Sequence, residues 1–383
     1  MKEQKAYKKI FFDCTYLRNA HTGVDVYFLS LIKYLVEIDT KNQYIILLDS
    51  RYNQTYLLQQ LNGHSNYTVR SIYSPLPLQV IYSAFFIPFY LLFKKIDVYH
   101  NPYFFGPLIK IFNRSTKIVI TVHDLYHHTI PGLMDKKLNL VFKFFADRAI
   151  KSADEVIVIS TQTKNDLLSY LNIPLNRVNL IYQALNDKFS SQRIVYANIE
   201  KLGLVSGRYI LTVGKVLPSK GLADLIKAFE ILVKKNNAVE IKLVSAGIAN
   251  DPYVKEIEQL IESLDISQQT INLLGYVSDD ELSALYANAS IVVVPSYYEG
   301  FGLPLLEAMK FGKPLVVREA SSLTEIVGDA GILFKTVEEL ADALNLLLTD
   351  SAKRRNLISE GYERLEFFSW KTTAQRTMEV YLK

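Results

Sequence analysis

Two glutamates between residues 291 and 312 carry the clearest chemical signal in the chain, IVVVPSYYEGFGLPLLEAMKFG. The apolar run 291–294 predicts a buried strand, and Pro304 is typical of the first turn of the helix that follows. Glu299 then lies in the connecting loop and Glu307 in the first turns of the helix, so both carboxylates project at the carboxyl end of the strand. An ionised carboxylate accepts from two hydroxyl donors at once, and the pair therefore suits a polyhydroxylated ligand such as a sugar nucleotide.

Glycines beside these acids favour close contact with a ligand. Gly300 and Gly302 allow the backbone to approach a bound group, and the start of a helix offers N–H groups to anionic oxygens. Considered alone, the Glu-x7-Glu spacing is also typical of helix caps and of acids that complement the helix dipole. The spacing alone therefore does not decide between a ligand-binding pair of acids and acids that cap a helix or complement its dipole.

A lysine-bearing loop precedes another predicted helix in YILTVGKVLPSKG, residues 209–221. The buried strand ends at Gly214, and Lys215 and Lys220 follow in the loop. A lysine between a strand and a helix can neutralise a diphosphate without a metal ion, because its charge is compact. Either lysine could instead be a solvated surface residue.

Two further candidates lie in the first half of the chain. Gly23 opens a predicted helix after the first strand, where backbone N–H groups could meet a phosphate or an acceptor. His123 follows the predicted strand 118–122 and precedes Asp124. It is either a structural histidine or a hydrogen-bonding site residue that could titrate near neutral pH.

The sequence lacks the motifs of several common metal-binding, catalytic and nucleotide-binding sites. It contains no Cys-x-x-Cys, Asp-x-Asp or Gly-x-Ser-x-Gly sequence, and no Gly-x-Gly-x-x-G or Walker motif. The adjacent His127 and His128 would point to opposite faces of a regular strand, so we expect them not to share a site. The sequence therefore predicts no metal site.

The elements that must position these residues are short apolar runs that alternate with amphipathic stretches, a pattern of parallel sheets covered by helices. A polar, weakly periodic segment after residue 185 separates two such series. We therefore expect an α/β protein with two doubly wound units: residues 1–190 with a C-terminal helix at 367–383, and residues 191–366. Ligands of such units bind at the carboxyl ends of the strands.

The composition narrows the class of protein. The 383 residues include 43 Lys and Arg against 39 Asp and Glu, and a net charge of +4 is too small to argue for a nucleic-acid partner. Cys14 is the only cysteine, which excludes an internal disulfide and is typical of a reducing cytoplasm. The polar start, Lys2-Glu3-Gln4-Lys5, does not predict a signal peptide.

Aromatic residues are abundant, with 25 Tyr and 20 Phe, and they are densest at 78–93. This stretch is short for a bilayer span, which needs about 20 apolar residues. It is either a buried core helix or a helix that docks on a membrane surface.

The motifs occur in the order found in family 4 of the GT-B glycosyltransferases, and the resemblance covers nearly the whole chain. Its segments are FFDCTYLRNAHTGVDVYFLSL, DVYHNPYFFGP, TVHDL, ADEVIVIST, VGKVLPSKG, LLGYVSDDELSALYANAS, PSYYEGFGLPLLEAMKFGKPLVV and SSLTEIVGDAGILF. The resemblance implies two Rossmann-like domains that face each other across a cleft, with the C-terminal helix returning to the first. It also implies a retaining, metal-independent transferase that uses a nucleotide sugar, with no other cofactor.

The resemblance further implies roles for individual residues. Glu307 would bind the ribose hydroxyls, Glu299 the donor hexose and Lys220 the diphosphate, while Gly23 would lie over the diphosphate and His123 near the anomeric centre. The remaining positions of the implied donor site are Lys215, Gly247, Tyr276, Val277, Gly300, Phe301, Gly302 and Leu303. The family often has Arg at position 215, and an Asn-Gly turn at 182–184.

The function expected from the resemblance is transfer of a hexose, mannose among the candidates, from GDP-mannose or a UDP-sugar. The acceptor would be a glycan or a lipid-linked glycan of a cell-surface polysaccharide such as lipopolysaccharide or capsule, at the cytoplasmic face of the membrane. One alternative is a catalytically inactive GT-B subunit that supports a partner transferase. Another GT-B reaction, such as a nucleotide-sugar 2-epimerase or a glycogen phosphorylase, fits the order of the motifs less well.

Overall fold

A computed structural model describes residues 7–17, 23–73, 82–104, 106–107, 115–130, 136–189, 199–235, 240–248 and 252–383. The chain divides into two compact units. The first comprises residues up to Ala184 together with Ser369–Lys383, and the second comprises Leu185–Phe368. The sequence had suggested boundaries at 190 and 366, within the polar segment and just before the last helix.

The first unit contains a parallel sheet of seven strands in the order β3-β2-β1-β4-β5-β6-β7. The strands are β1 (Lys9–Cys14), β2 (Gln43–Asp49), β3 (Tyr67–Ile72), β4 (Val98–Asn101), β5 (Lys117–Val122), β6 (Glu155–Val158) and β7 (Val178–Leu180). The helices that cover this sheet are α1 (Gly23–Ile38), α2 (Thr55–Gln60), α3 (Ile87–Lys94), α4 (Tyr126–Thr129), α5 (Lys136–Ser152), α6 (Thr161–Leu171) and the C-terminal α14 (Trp370–Leu382).

The C-terminal helix α14 belongs to the first unit, as the resemblance implies, and packs beside α1. The hydroxyl of Tyr381 lies 2.6 Å from Nδ1 of His100, and the Trp370 ring meets the Tyr27 ring edge-on with centroids 5.8 Å apart. Tyr381, Tyr27 and His100 are fully buried. The last helix is therefore part of the core that supports the sheet.

The second unit contains a parallel sheet of six strands in the order β10-β9-β8-β11-β12-β13. The strands are β8 (Tyr209–Val213), β9 (Lys242–Ala246), β10 (Ile271–Gly275), β11 (Ile291–Val294), β12 (Leu315–Arg318) and β13 (Gly331–Phe334). The helices are α7 (Leu222–Lys235), α8 (Tyr253–Glu262), α9 (Asp279–Asn288), α10 (Leu303–Lys310), α11 (Leu323–Val327), α12 (Val337–Thr349) and α13 (Ser351–Leu365).

Both sheets follow from the apolar runs. Strands buried on both faces need continuous Val, Ile and Leu, and β5, β6 and β11 are buried along nearly their whole length. The two doubly wound α/β units and the order of their elements are confirmed. The apolar runs of the sequence did not predict β3 or β13, each of which is one of the two edge strands of its sheet.

The aromatic stretch 78–93 is described from residue 82, and its first four residues lie outside the described ranges. A π-helical turn (Tyr82–Phe86) continues into α3, and the side chains of Ala84, Ile87 and Leu91 join the core of the first unit. The opposite face is exposed, with Phe85, Phe86, Phe89 and Phe93 between 48% and 77% accessible. Within the described ranges we find no helix whose length and hydrophobicity would let it cross a bilayer.

Candidate active site

Two of the residues singled out from the sequence, Lys220 and Glu299, form an ion pair at the carboxyl edge of the second sheet. Lys220 Nζ lies 2.6 Å from Glu299 Oε1, and the Ser296 hydroxyl donates to the same oxygen at 2.9 Å. Both charged side chains are partly exposed, at 27% and 17%. The loops that carry them meet because their strands, β8 and β11, are neighbours in the sheet.

The backbones of these two loops touch at Gly221, which fixes the approach of Lys220 to Glu299. Gly221 has φ +68°, and a Cβ there would lie 2.1 Å from the carbonyl oxygen of Pro295. The Tyr297 N–H donates to the Ser219 carbonyl at 2.9 Å beside this contact. Only glycine combines the left-handed conformation with this close approach.

Two serines hold the loop between Glu299 and α10. The Glu299 N–H donates to Ser321 Oγ at 2.9 Å, and the Ser322 hydroxyl lies within hydrogen-bond distance of the carbonyls of Glu299 (2.8 Å) and Phe301 (3.0 Å). Gly302 follows at φ +103° and precedes the first residue of the helix, Leu303. The predicted loop residues 299–303 therefore form one fixed segment that ends at the N-terminus of α10, a position that favours anionic ligands.

The second predicted carboxylate, Glu307, lies one turn into α10 and is partly buried. The Tyr286 hydroxyl donates to its Oε2 at 2.7 Å. Burial raises the pKa of Glu307, and the hydrogen bond from Tyr286 and the charge of Lys188 partly offset this rise. Tyr286 is fully buried and stacks on Phe311 with centroids 5.6 Å apart, so its hydroxyl is held in place for the carboxylate.

The strand ends β8, β9 and β10 meet through their glycines. The Gly214 N–H donates to the Ala246 carbonyl at 2.9 Å, and the Gly247 N–H donates to the Gly275 carbonyl at 2.7 Å. A Cβ at Gly247 would lie 1.9 Å from the Gly214 carbonyl oxygen. Two positions of the donor site implied by the resemblance follow directly after β10: Tyr276 is 71% exposed and Val277 is partly buried. Lys215, in the loop after β8, is exposed.

The two candidate residues in the first unit, Gly23 and His123, lie in different surroundings. Gly23 is the first residue of α1. His123 is 4% exposed, its Nε2 lies 2.9 Å from the Pro102 carbonyl oxygen, and its ring meets the Tyr27 ring edge-on at 4.7 Å. Because a carbonyl only accepts, Nε2 carries the proton. Burial lowers the pKa of His123 to about 4, so it is neutral at pH 7 and does not titrate near neutrality.

The expectation that His127 and His128 cannot share a partner is wrong. It assumed that the strand before them continues, but the two residues lie on the helical turn α4. Their Nε2 atoms lie 3.3 Å and 2.9 Å from the same oxygen of Asp147 on α5.

A buried arginine that sequence reasoning missed ties the site loops together. Arg318, at the end of β12, is 6% exposed and donates to the Pro295 carbonyl at 2.7 Å and to Asp224 Oδ2 at 2.6 Å. Its guanidinium stacks on the rings of Tyr297 and Phe334, at 4.1 Å and 4.9 Å from their centroids. A charged residue at the end of an apolar strand is ordinarily exposed to solvent, so this role could not be predicted from the sequence.

Comparison with known proteins identifies the family. The profile of the glycosyl transferases group 1 matches residues 197–364, and that of glycosyltransferase family 4 matches residues 21–189. The chain is 31% identical over 309 residues to the MMP alpha-(1->4)-mannosyltransferase of Mycolicibacterium hassiacum, covering 75% of this chain and 70% of that protein. It is 28% identical over 291 residues to O-antigen chain mannosyltransferase B of Escherichia coli, covering 75% and 74%.

Solved structures agree with this family in fold. The Anabaena protein HepE in complex with UDP-glucose superposes with a TM-score of 0.74 at 21% identity, over 97% of this chain and 98% of that one. A glycosyltransferase from Rickettsia africae gives a TM-score of 0.72 at 17% identity, over 98% of both chains. With its two parallel α/β units, matching profiles and similar relatives, the chain belongs to family 4 of the glycosyltransferases and has the GT-B fold.

Proposed function

We propose that this glycosyltransferase transfers a hexose, with mannose as the first candidate, from a nucleotide sugar to a glycan or lipid-linked acceptor in cell-surface polysaccharide synthesis. We further propose that it retains the anomeric configuration and needs no metal ion. The observation that carries the proposal is the ion pair of Lys220 and Glu299 at the carboxyl edge of the second sheet. One cation for a diphosphate and one carboxylate for sugar hydroxyls lie there within 2.6 Å.

In this proposal the nucleotide binds along the strand ends of the second unit. Glu307 accepts from the ribose hydroxyls, and Tyr286, which already donates to one of its oxygens, keeps the carboxylate oriented. The base lies beside Tyr276 and Val277, and the glycine at position 247 lets the backbone approach it.

The departing diphosphate is stabilised by Lys220, by Lys215 and by the N-terminal N–H groups of α10. The acceptor hydroxyl attacks the anomeric carbon on the face that the diphosphate leaves. The glycosidic bond forms as the carbon–oxygen bond to phosphate breaks, and the hydroxyl proton passes to a phosphate oxygen. Glu299 binds hydroxyls of the hexose. His123 is neutral, and its place near the anomeric centre is proposed from the family resemblance alone.

The identity of the transferred sugar is proposed from the names of similar proteins. Two similar proteins are named as mannosyltransferases, the M. hassiacum enzyme and the E. coli O-antigen enzyme, which favours GDP-mannose as donor. The HepE structure contains UDP-glucose, which keeps UDP-sugars in the test.

A donor screen tests the proposal. The purified chain is incubated in chelator with GDP-mannose and with UDP-, ADP- and dTDP-sugars, and both binding and slow hydrolysis are measured. We expect one donor to bind, and its hydrolysis to fall at least about tenfold in Lys220→Ala and Glu307→Gln. Lys227→Ala and Glu338→Gln, exposed residues on α7 and α12, serve as matched controls and should not change it.

Other results would separate the alternatives. If no donor binds, the inactive GT-B subunit becomes the better interpretation, and a search for its partner transferase follows. An inverted anomeric configuration in the product would contradict the retaining mechanism. A requirement for added Mg²⁺ or Mn²⁺ would contradict metal independence.

The ion pair gives a sharper test of how the site binds diphosphate. Glu299→Gln frees Lys220 from its carboxylate, while Ser296 still holds the side chain. Because the pair is partly exposed, we expect a gain of about 1 kcal/mol, or roughly fivefold tighter binding of the free nucleoside diphosphate. Lys220→Ala should weaken the same binding by more than about tenfold. Equal weakening in both variants would contradict a diphosphate at Lys220.

We also propose that the first unit docks on the cytoplasmic face of a membrane. The support is the exposed face of the π-helical turn and α3, where Phe86, Phe89 and Phe93 precede Lys94. The exposed Leu140, Val141 and Phe144 on the basic helix α5 add to it. Apolar side chains beside lysines suit anionic bilayers.

Flotation with vesicles tests this docking. We expect the chain to float with vesicles that contain phosphatidylglycerol, and less with phosphatidylcholine alone. The triple variant Phe86→Ser, Phe89→Ser, Phe93→Ser should lose flotation, whereas Phe367→Ser, which changes a 72% exposed phenylalanine of the second unit, should keep it. Equal flotation of both variants would contradict the assignment of this face.

A further inference from the structure

Three potential metal ligands converge in the first unit at the carboxyl end of β5. His127 and His128 lie on the turn α4, and Asp147 lies on α5. Their ligand atoms all lie within 4.8 Å of one another. His127 Nε2 is 3.3 Å from Asp147 Oδ1, and His128 Nε2 is 2.9 Å from the same oxygen.

These distances are close to those of a zinc site. Zinc binds imidazole nitrogen and carboxylate oxygen at about 2.0 to 2.1 Å, so two ligand atoms of a tetrahedral site lie about 3.3 Å apart. The histidine-to-aspartate separations match this value within a few tenths of an ångström. A site with two imidazoles and one carboxylate favours zinc over magnesium or calcium, because imidazole nitrogen is a ligand that suits zinc.

The surroundings hold the ligands in position. His127 is 3% exposed and packs against Phe104 and Phe142, with ring centroids 5.9 Å and 5.2 Å away. His128 stacks on Tyr170 of α6 at 5.0 Å. These ring contacts restrict both imidazoles, and an apolar wall strengthens the attraction between a carboxylate and a cation.

The ligand side chains leave one direction accessible. His127 is closed to solvent, whereas the side chains of His128 and Asp147 are 13% and 21% exposed. A cation can therefore enter from their side, and a water molecule can complete a four-coordinate site.

We propose that His127, His128 and Asp147 bind one zinc ion. The ion ties the turn α4 to α5 and thereby fixes the segment that follows His123. This site goes beyond the transfer reaction, which needs no metal ion in our proposal.

The expected affinity is moderate. Nδ1 of His127 is buried without a hydrogen-bond partner among the described residues, whereas most zinc-bound imidazoles donate from this second nitrogen. Lys143, one turn before Asp147 on α5, adds positive charge near His127. With three protein ligands we expect a dissociation constant on the order of 1 μM.

Metal titration of the full chain tests the proposal. The protein is stripped with chelator and titrated with Zn²⁺ by calorimetry, and with Co²⁺ as a spectroscopic probe. We expect one ion per chain, visible absorption typical of tetrahedral Co²⁺, and a rise in Tm of about 5 °C at a hundredfold excess over Kd.

Variants assign the ion to its ligands. His128→Gln and Asp147→Asn are nearly isosteric, and each should weaken Zn²⁺ binding at least about tenfold and abolish the Co²⁺ spectrum. His64→Gln changes a histidine outside the cluster and should leave both unchanged. Retention of Zn²⁺ by His128→Gln and Asp147→Asn, or octahedral Co²⁺ absorption in the unmodified chain, would overturn the proposal. These readouts do not depend on transferase activity.

Discussion

Replacement of Arg318 by methionine tests whether one buried guanidinium holds the site loops of the second unit. Methionine keeps most of the volume of the arginine stem but removes every hydrogen bond of the head group. The change breaks the ion pair with Asp224 and removes the donor to the Pro295 carbonyl. It also removes the stacking on Tyr297 and Phe334.

The expected loss can be worked out from these contacts. Removing one partner of a buried ion pair costs about 3 to 5 kcal/mol, and the lower end applies because Asp224 is 20% exposed and can regain water. An unpaired buried carbonyl adds about 1 kcal/mol, and the apolar gain from methionine offsets part of the sum. We expect the free energy of unfolding to fall by about 3 kcal/mol. For a unit of this size, that lowers Tm by about 6 to 12 °C.

Scanning calorimetry and urea unfolding of the full chain measure this change. Arg355→Met serves as the control, because Arg355 is exposed on α13 and its loss should change Tm by less than about 2 °C. In a double-mutant cycle, Arg318→Met and Asp224→Asn should show a coupling of about 2 kcal/mol. A loss below about 1 kcal/mol in Arg318→Met, or additive effects of the two substitutions, would refute the reasoning.

Two further substitutions test the supports of the site. Tyr286→Phe removes the hydrogen bond to Glu307, whose pKa burial already raises. Since the carboxyl is protonated in folded and unfolded chains at low pH, we expect a loss of about 2 kcal/mol near pH 8 that shrinks toward pH 4, measured by urea unfolding. A loss independent of pH would contradict the role of the charge. Gly221→Ala should cost at least about 2 kcal/mol more than Gly203→Ala, because both residues have φ +68° but only the first Cβ would strike the Pro295 carbonyl. Equal losses would contradict the close contact.

The sequence predicted most of the fold because both sheets are built from strands buried on two faces. Such strands appear as continuous apolar runs and are easy to find. The two missed strands, β3 and β13, each lie at one edge of a sheet, and in both this signal is weak. In β3, residues 67–72, no side chain is fully buried and Arg70 is exposed. Strand β13 begins at Gly331 and is only four residues long.

Among the residues of the candidate site, the sequence singled out only those that stand in a motif or at a sharp turn of the backbone. Glu299, Lys220 and Gly302 stand in loops whose glycines mark sharp turns, and such turns are visible in a sequence. Tyr286 and Arg318 act through contacts with residues 21 and 94 positions away. Periodicity assigns a tyrosine in a helix to the core and an arginine at a strand end to the solvent, so neither role could be predicted locally.

The pair of carboxylates at the strand ends of the second unit is stabilised in two different ways, and this difference bears on binding. Glu299 is balanced by a cation, Lys220, and both side chains are partly exposed, so an incoming anion can compete for the lysine. Glu307 faces a neutral donor, Tyr286, that is fixed by burial and stacking, and it therefore keeps its position whether or not a ligand is bound. In the proposed function, one site binds both a diphosphate and a ribose, and this combination suits both contacts. The proposed phosphate contact would exchange partners during the reaction, whereas the proposed hydroxyl contact would hold the nucleotide still while the sugar is transferred.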